Sequence, residues 1–168
     1  NAMKNFDQLL NLIKNKPVRT VAVAAADDES VIEAVQSAQK SNIARAILVG
    51  RKEGIMEKAA KINFAVKEQD VIDEPDDIQA AAKAVSLAAG GQADIVMKGY
   101  IHTDDFLRAI LHREHGLRTG VVMSHVFIIE VREFDRLLFI TDGAMNIAPD
   151  LQQKAEIILN AVHLANLF

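Results

Sequence analysis

The sequence contains no cysteine, which excludes disulfides, thiolate metal sites and a cysteine nucleophile. It also has no tryptophan and a single tyrosine, and aromatic residues make up only 5% of it. The core must therefore be built from Ala, Val, Ile and Leu, the residues of a sheet buried on both faces. No Pro/Gly/Ser-rich linker, low-complexity segment or repeat divides the chain. No apolar run is long enough to span a bilayer, and the N-terminus lacks the apolar core and cleavage site of a signal peptide. These absences predict a cytoplasmic protein with no membrane partner. Excess positive charge is lacking too: the net charge is -4, which argues against a general nucleic-acid binder.

What is present is 168 residues, 50% hydrophobic and 25% charged, enough for a globular domain with a real core. Asn1-Ala2 before Met3 reads as a tag-cleavage scar. Residues 3–120 read as an α/β lobe. Phe6, Leu9, Leu10 and Ile13 have helical spacing, and Pro17 ends that helix. Val18 to Ala26 reads as a first strand. Asp27, Asp28 and Ser30 offer caps for the next helix, with Ser30 and Glu33 at capping-box distance. Ala46 to Val49 is a second strand and Ile55 to Ile62 a third helix. Phe64 to Val66 is a weaker strand, and DVIDEPDD (70–77) a loop. A helix through Ile78, Ala81, Ala82 and Val85 ends at Gly90-Gly91. This alternation predicts a doubly wound, mostly parallel sheet.

The chain is organised around Ala93 to Thr119, which reads strand, glycine turn, helix, basic loop. Ile95-Val96-Met97 is the strand and Lys98-Gly99 the break. Thr103 is a candidate N-cap before Asp104 and Asp105. Turns of this kind lie outside the carboxyl ends of the strands, where α/β sheets bind ligands. Two readings of Lys98, Gly99 and Thr103 stand together. One is a phosphate or acyl-phosphate site using the lysine charge and the free N–H groups of the helix start. The other is a lysine extending from a strand end before an ordinary cap, which the two aspartates favour. Arg108 and Arg118 are suited to phosphate by their guanidinium groups; both also read as solvated residues, as Arg113 does.

After Gly120 the pattern changes. Val121 to Val131 and Leu137 to Thr141 are two strands joined by four residues, too few for a crossover helix, so the pair should be antiparallel. His125 would lie inside the first of these strands. Its neighbour Ser124 would then point to the opposite face, which argues against a serine–histidine catalytic pair and for a strand-end polar contact to ligand. Asp142 and Asn146 bracket a turn at a strand end, as ligand contacts or as Asx-turn residues. The histidines lack zinc spacing, so no metal is expected. No G-x-G-x-x-G occurs, so no NAD site is expected. A last helix starts near Pro149 or Asp150, with Gln153 at capping-box distance, and is apolar on most sides. Residues 121–168 thus read as a strand pair and helix opening an incomplete second lobe. The apolar ending Leu167-Phe168 suggests a chain cut short or covered by a partner.

MKGYIHTDDFLRAIL, GLRTGVVMSHVFIIEV and LLFITDGAMNIAPDLQQKAEIILNAV strongly resemble the phosphate butyryltransferases, relatives of the phosphate acetyltransferases. The resemblance implies a fold like isocitrate and isopropylmalate dehydrogenases, with two α/β domains around a cleft, and a homodimer or larger assembly. It implies the reaction acyl-CoA plus phosphate giving acyl phosphate plus CoA, with CoA as a substrate and no resident cofactor. Lys98, Gly99, His102, Thr103 and Arg108 match the family's first cleft motif, Ser124 and His125 the second, and Asp142 and Asn146 the third. Together with Arg118, these would line the CoA and phosphate cleft. Family members are about twice this length, and their catalytic Ser-Arg pair and following Asp have no counterpart here, so the catalytic residues are not assigned. The alternatives are a non-catalytic CoA-binding or assembly fragment and a metal- and NAD-dependent dehydrogenase of the same fold.

Overall fold

The computed structural model describes residues 3–131 and 133–167. Asn1 and Ala2, which the sequence suggests are a tag scar, Arg132 in the four-residue connection and Phe168 lie outside the described residues. The chain divides into two compact units. One, the sheet unit, is Pro17–Arg118; the other, the hairpin unit, joins the residues up to Lys16 with those from Thr119 onward.

The sheet unit holds β1 (Arg19–Ala24), β2 (Ala44–Gly50), β3 (Val71–Asp73) and β4 (Ile95–Lys98), all parallel in the order β3-β2-β1-β4. Between them run α2 (Glu29–Lys40), α3 (Lys52–Lys61) and α4 (Asp77–Ala89), with α5 (Thr103–Ile110) after β4. Successive β1 side chains point to opposite faces. Ala22 and Ala24 pack with Ala80, Ala81 and Ala84 of α4 and Phe106 of α5. Val23 packs on the other side with Ile32 and Val35 of α2 and Ile55 and Ala59 of α3. Helices therefore cover both faces, as the alternating sequence predicts. Residues 22–26 are at most 2% exposed; small side chains let helices approach this central strand from either side. The strand order reverses between β1 and β4, which puts the topological switch point at their carboxyl ends.

Three local expectations are corrected. The third strand is Val71–Asp73, not Phe64–Val66. Phe64 and Val66 instead pack as partly buried side chains on the core, and the edge strand hides in the acidic stretch. It is short and pairs only with Leu48–Gly50, and Asp73 spends its carboxylate accepting the N–H of Lys52 at 2.9 Å. Of the three caps offered for α2, Asp28 is the one used, and the expected Ser30–Glu33 box is not: the Asp28 carboxylate accepts from the Val31 N–H at 3.1 Å and from the Ser30 hydroxyl at 2.6 Å. The cap position of α5 is His102, not Thr103. The Phe106 N–H donates to the His102 carbonyl at 3.1 Å, so helical bonding starts one residue earlier.

In the hairpin unit, β5 (Val126–Glu130) and β6 (Leu137–Thr141) pair antiparallel, from Val126 opposite Thr141 to Glu130 opposite Leu137. α1 (Phe6–Ile13) starts beside them: the Phe6 N–H donates to Glu130 Oε2 at 2.8 Å, and the Leu137 N–H to the Met3 carbonyl at 3.0 Å. α6 (Leu151–Ala165) has the expected capping box of Asp150 and Gln153. Its apolar residues are mostly uncovered: only Ile157 is buried, while Leu151, Ile158, Leu159 and Val162 are exposed. β5 is shorter than expected. The Val121–His125 segment has no ladder partner among the described residues, so Ser124 and His125 precede the strand instead of alternating along it.

Candidate functional site

The candidate residues form two groups, one in each unit. In the sheet unit, β4 ends at the switch point and is tied to β1. The Gly99 N–H donates to the Ala24 carbonyl at 2.8 Å and the Tyr100 N–H to the Ala25 carbonyl at 2.9 Å. A Cβ at residue 99 would lie 2.3 Å from the Ala25 oxygen and 2.4 Å from that of Ala24. Only glycine permits this contact, so Gly99 has a structural reason independent of any ligand. Beside it opens a concavity of about 640 Å³ lined by Lys98, Tyr100, Ile101, His102 and Asp105, with Pro75, Asp76, Asp77 and Ile78 from the start of α4. Tyr100 is 73% exposed at its rim.

The positive groups are partly engaged. Among the described residues Lys98 Nζ reaches only its neighbour's carbonyl, Gly99 O, at 3.4 Å. Arg108 donates to Asp105 at 2.8 Å, and its side chain is 77% exposed. An exposed pair of this kind contributes at most about 1 kcal/mol, so an anion could displace Asp105 from Arg108 at little cost. Arg118 is exposed and makes no hydrogen bond or ion pair among the described residues. Thr103 is exposed in the first turn of α5.

In the hairpin unit, Asp142 is the hub. Its Oδ1 accepts the His125 N–H at 2.8 Å; its Oδ2 accepts the Asn146 N–H at 2.9 Å and the Asn146 side-chain amide at 2.6 Å. Burial pushes the Asp142 carboxyl up, but the hydrogen bonds from His125, Asn146 and Met145 together outweigh it and hold it below the usual range. The same Asn146 amide donates to the Met123 carbonyl at 3.0 Å, and the Thr141 hydroxyl to the His125 carbonyl at 2.9 Å. The His125 ring stands edge-on to Phe127, with centroids 4.1 Å apart. Ser124 and His125 do not bond each other; Ser124 Oγ accepts from the Asn160 amide at 2.9 Å.

His125, Asp142 and Asn146 are thus brought together by direct bonds, with Ser124 held beside them. Sequence reading missed Thr141, Glu156 and Asn160. Asn160 and Glu156 belong to α6, more than 30 residues beyond the segment they hold. A four-residue spacing of polar residues in an otherwise apolar helix was the available signal. Among the described residues, no group of three or more His, Asp or Glu is placed to hold a metal ion. No helix among them is long and apolar enough to cross a membrane.

The family described as Phosphate acetyl/butaryl transferase matches residues 71–168, more than half of the chain. The chain belongs to that family. It is 47% identical over 164 residues to the phosphate butyryltransferase of Clostridium acetobutylicum, covering 98% of this chain and 54% of that protein. The chain therefore spans about half the length of the curated relatives it matches. A phosphotransacetylase from Streptococcus pyogenes superposes with a TM-score of 0.79 at 22% identity, over 96% of this chain and 59% of that one. A branched-chain phosphotransacylase from Enterococcus faecalis V583 gives 0.71 at 29% identity, over 89% and 51%. The fold is that of the phosphotransacylases, a parallel sheet with a separate antiparallel pair.

Proposed function

We propose that the protein to which this chain belongs moves a short, butyryl-like acyl group between CoA and phosphate. The observation that carries the reading is the 47% identity to a phosphate butyryltransferase along nearly the whole chain. A phosphate oxygen attacks the thioester carbonyl, the C–S bond breaks, and the CoA thiolate leaves and takes up the proton that phosphate gives up. The reverse step is attack of the thiolate on the acyl phosphate. Such a reaction gains most from holding two reactants in register and from donors aimed at the oxyanion. CoA and phosphate enter as substrates, and the reaction calls for no resident metal or organic cofactor.

In this reading Lys98 and Arg108 bind phosphate groups, Arg108 exchanging Asp105 for the ligand. The first N–H groups of α5 around Thr103, with His102 and Gly99, form the floor of that subsite, and Arg118 adds charge. By the second and third motifs, Ser124, His125, Asp142 and Asn146 are substrate-binding residues as well. Residues from 121 onward open a second lobe, and the protein acts as a cytoplasmic homodimer or larger assembly. The test is to mix the full-length protein carrying this sequence with butyryl-CoA and follow free thiol, with and without phosphate. Phosphate-dependent thiol release is expected; release that ignores phosphate, or none, would refute the assignment.

A further inference from the structure

The Val122–His125 segment has no sheet neighbour among the described residues, yet side chains bind the backbone of Val122, Met123 and His125. Glu156 Oε2 accepts the Val122 N–H at 2.9 Å. The Asn160 amide donates to the Val122 carbonyl at 2.9 Å. Asn146 holds the Met123 carbonyl, and Asp142 and Thr141 hold the two backbone groups of His125. Glu156 and Asn160 are four residues apart on α6 and therefore on one face of it. One helix thus clamps both polar groups of Val122, as a neighbouring strand would.

Asn160 does more than hold backbone. Its Nδ2 donates both protons, one to the Val122 carbonyl and one to Ser124 Oγ, each at 2.9 Å. A carbonyl can only accept, so the amide cannot be turned the other way. Ser124 Oγ is thereby made an acceptor toward α6. Its own proton has no acceptor among the described residues. The Ser124 N–H likewise has none. Ser124 is half-buried and offers two donors whose orientation is set from behind.

We infer that Asn160 is a positioning residue for acyl transfer: it fixes the Ser124 hydroxyl as a donor to a phosphoryl oxygen of phosphate or acyl phosphate. The inference rests on the function proposed above. Asn160→Asp would reverse the device, because a carboxylate accepts the Ser124 proton and repels the Val122 carbonyl. Asn160→Ala removes both bonds without adding charge and serves if the aspartate variant does not fold.

The experiment is a double-mutant cycle on the full-length enzyme with Ser124→Ala, reading the Michaelis constant for phosphate and kcat separately. Each single change should raise that constant about tenfold, the scale of one lost hydrogen bond to a charged group, with a smaller effect on kcat. In the Ser124→Ala background, changing Asn160 should add less than about threefold, because the residue acts through that hydroxyl. Losses that multiply to about a hundredfold, or an Asn160 variant with unchanged kinetics, would overturn the positioning role while leaving the acyl transfer reading intact. A wild-type enzyme without phosphate-dependent thiol release would overturn the reaction, and this role with it.

Discussion

The two units are held together by different physics. Nearly all buried apolar side chains lie in the sheet unit; among the described residues the hairpin unit contributes only Leu137 and Ile157. The hairpin unit relies instead on the β5–β6 ladder and on side chains that bind backbone, with Asp142, Asn146, Glu156 and Asn160 as the main providers. Apolar burial is proportional to area and indifferent to direction. Hydrogen bonds are directional, and each contributes only about 1 kcal/mol net. The sheet unit is therefore built for stability, and the hairpin unit for setting the direction of particular groups.

The largest expected effect tests that division. Leu48 and Ile55 are at most 1% exposed in the sheet unit, and Leu48→Ala or Ile55→Ala should each destabilise by about 2–5 kcal/mol in denaturant melts. Leu159→Ala in the hairpin unit, where the side chain is 52% exposed, should cost under about 1 kcal/mol. Equal losses would erase the contrast. Next comes Gly99→Ala, whose Cβ would press on the Ala24 and Ala25 carbonyls. It should cost about 1–3 kcal/mol and weaken CoA or phosphate binding at the same time; loss of stability without loss of binding would move the site away from the β4 end. Arg108→Ala should raise the Michaelis constant for phosphate or CoA at least tenfold (~1.4 kcal/mol) in the full-length protein, with stability nearly unchanged, because the ion pair it breaks is exposed.

The smallest effect is on pH, and both units share it. Burial raises the Asp27 carboxyl, but hydrogen bonds and charge from Lys58 and Arg51 outweigh it and hold it low. Asp142 is held low by hydrogen bonds alone among its lowering causes. Both carboxyls are depressed on folding, so their contribution is complete above the unfolded value near pH 4 and is lost as pH falls through the folded values. Stability should be level from about pH 7 to 5 and decline below about pH 4. Asp27→Asn should flatten that decline, and an unflattened curve would remove Asp27 from it.

The sequence made the parallel sheet legible because both its periodicity and its small, doubly buried strand residues are local signals. The antiparallel pair was legible from connection length, and the α6 start from Asp150 and Gln153. β3 was not, because three residues on an edge leave no period and an acidic stretch reads as loop. The cap at α5 moved by one residue because backbone bonding decides it. Motif resemblance pointed to Ser124, His125, Asp142 and Asn146; hydrogen bonds join the last three, and Ser124 bonds to Asn160 instead. It gave no sign of Asn160 or Glu156, because a side chain that binds a backbone group dozens of residues away imposes no pattern on the segment it holds.

The most direct measurement is residue-resolved amide hydrogen exchange on this chain. The account predicts the slowest exchange in β1 and β2, where the apolar core lies. In the Val122–His125 segment it predicts protection at Val122 and His125, whose N–H groups are bound by Glu156 and Asp142. It predicts fast exchange at Met123 and Ser124, whose N–H groups have no acceptor among the described residues. Uniformly fast exchange from Val122 to His125 would contradict the claim that side chains hold this segment in place.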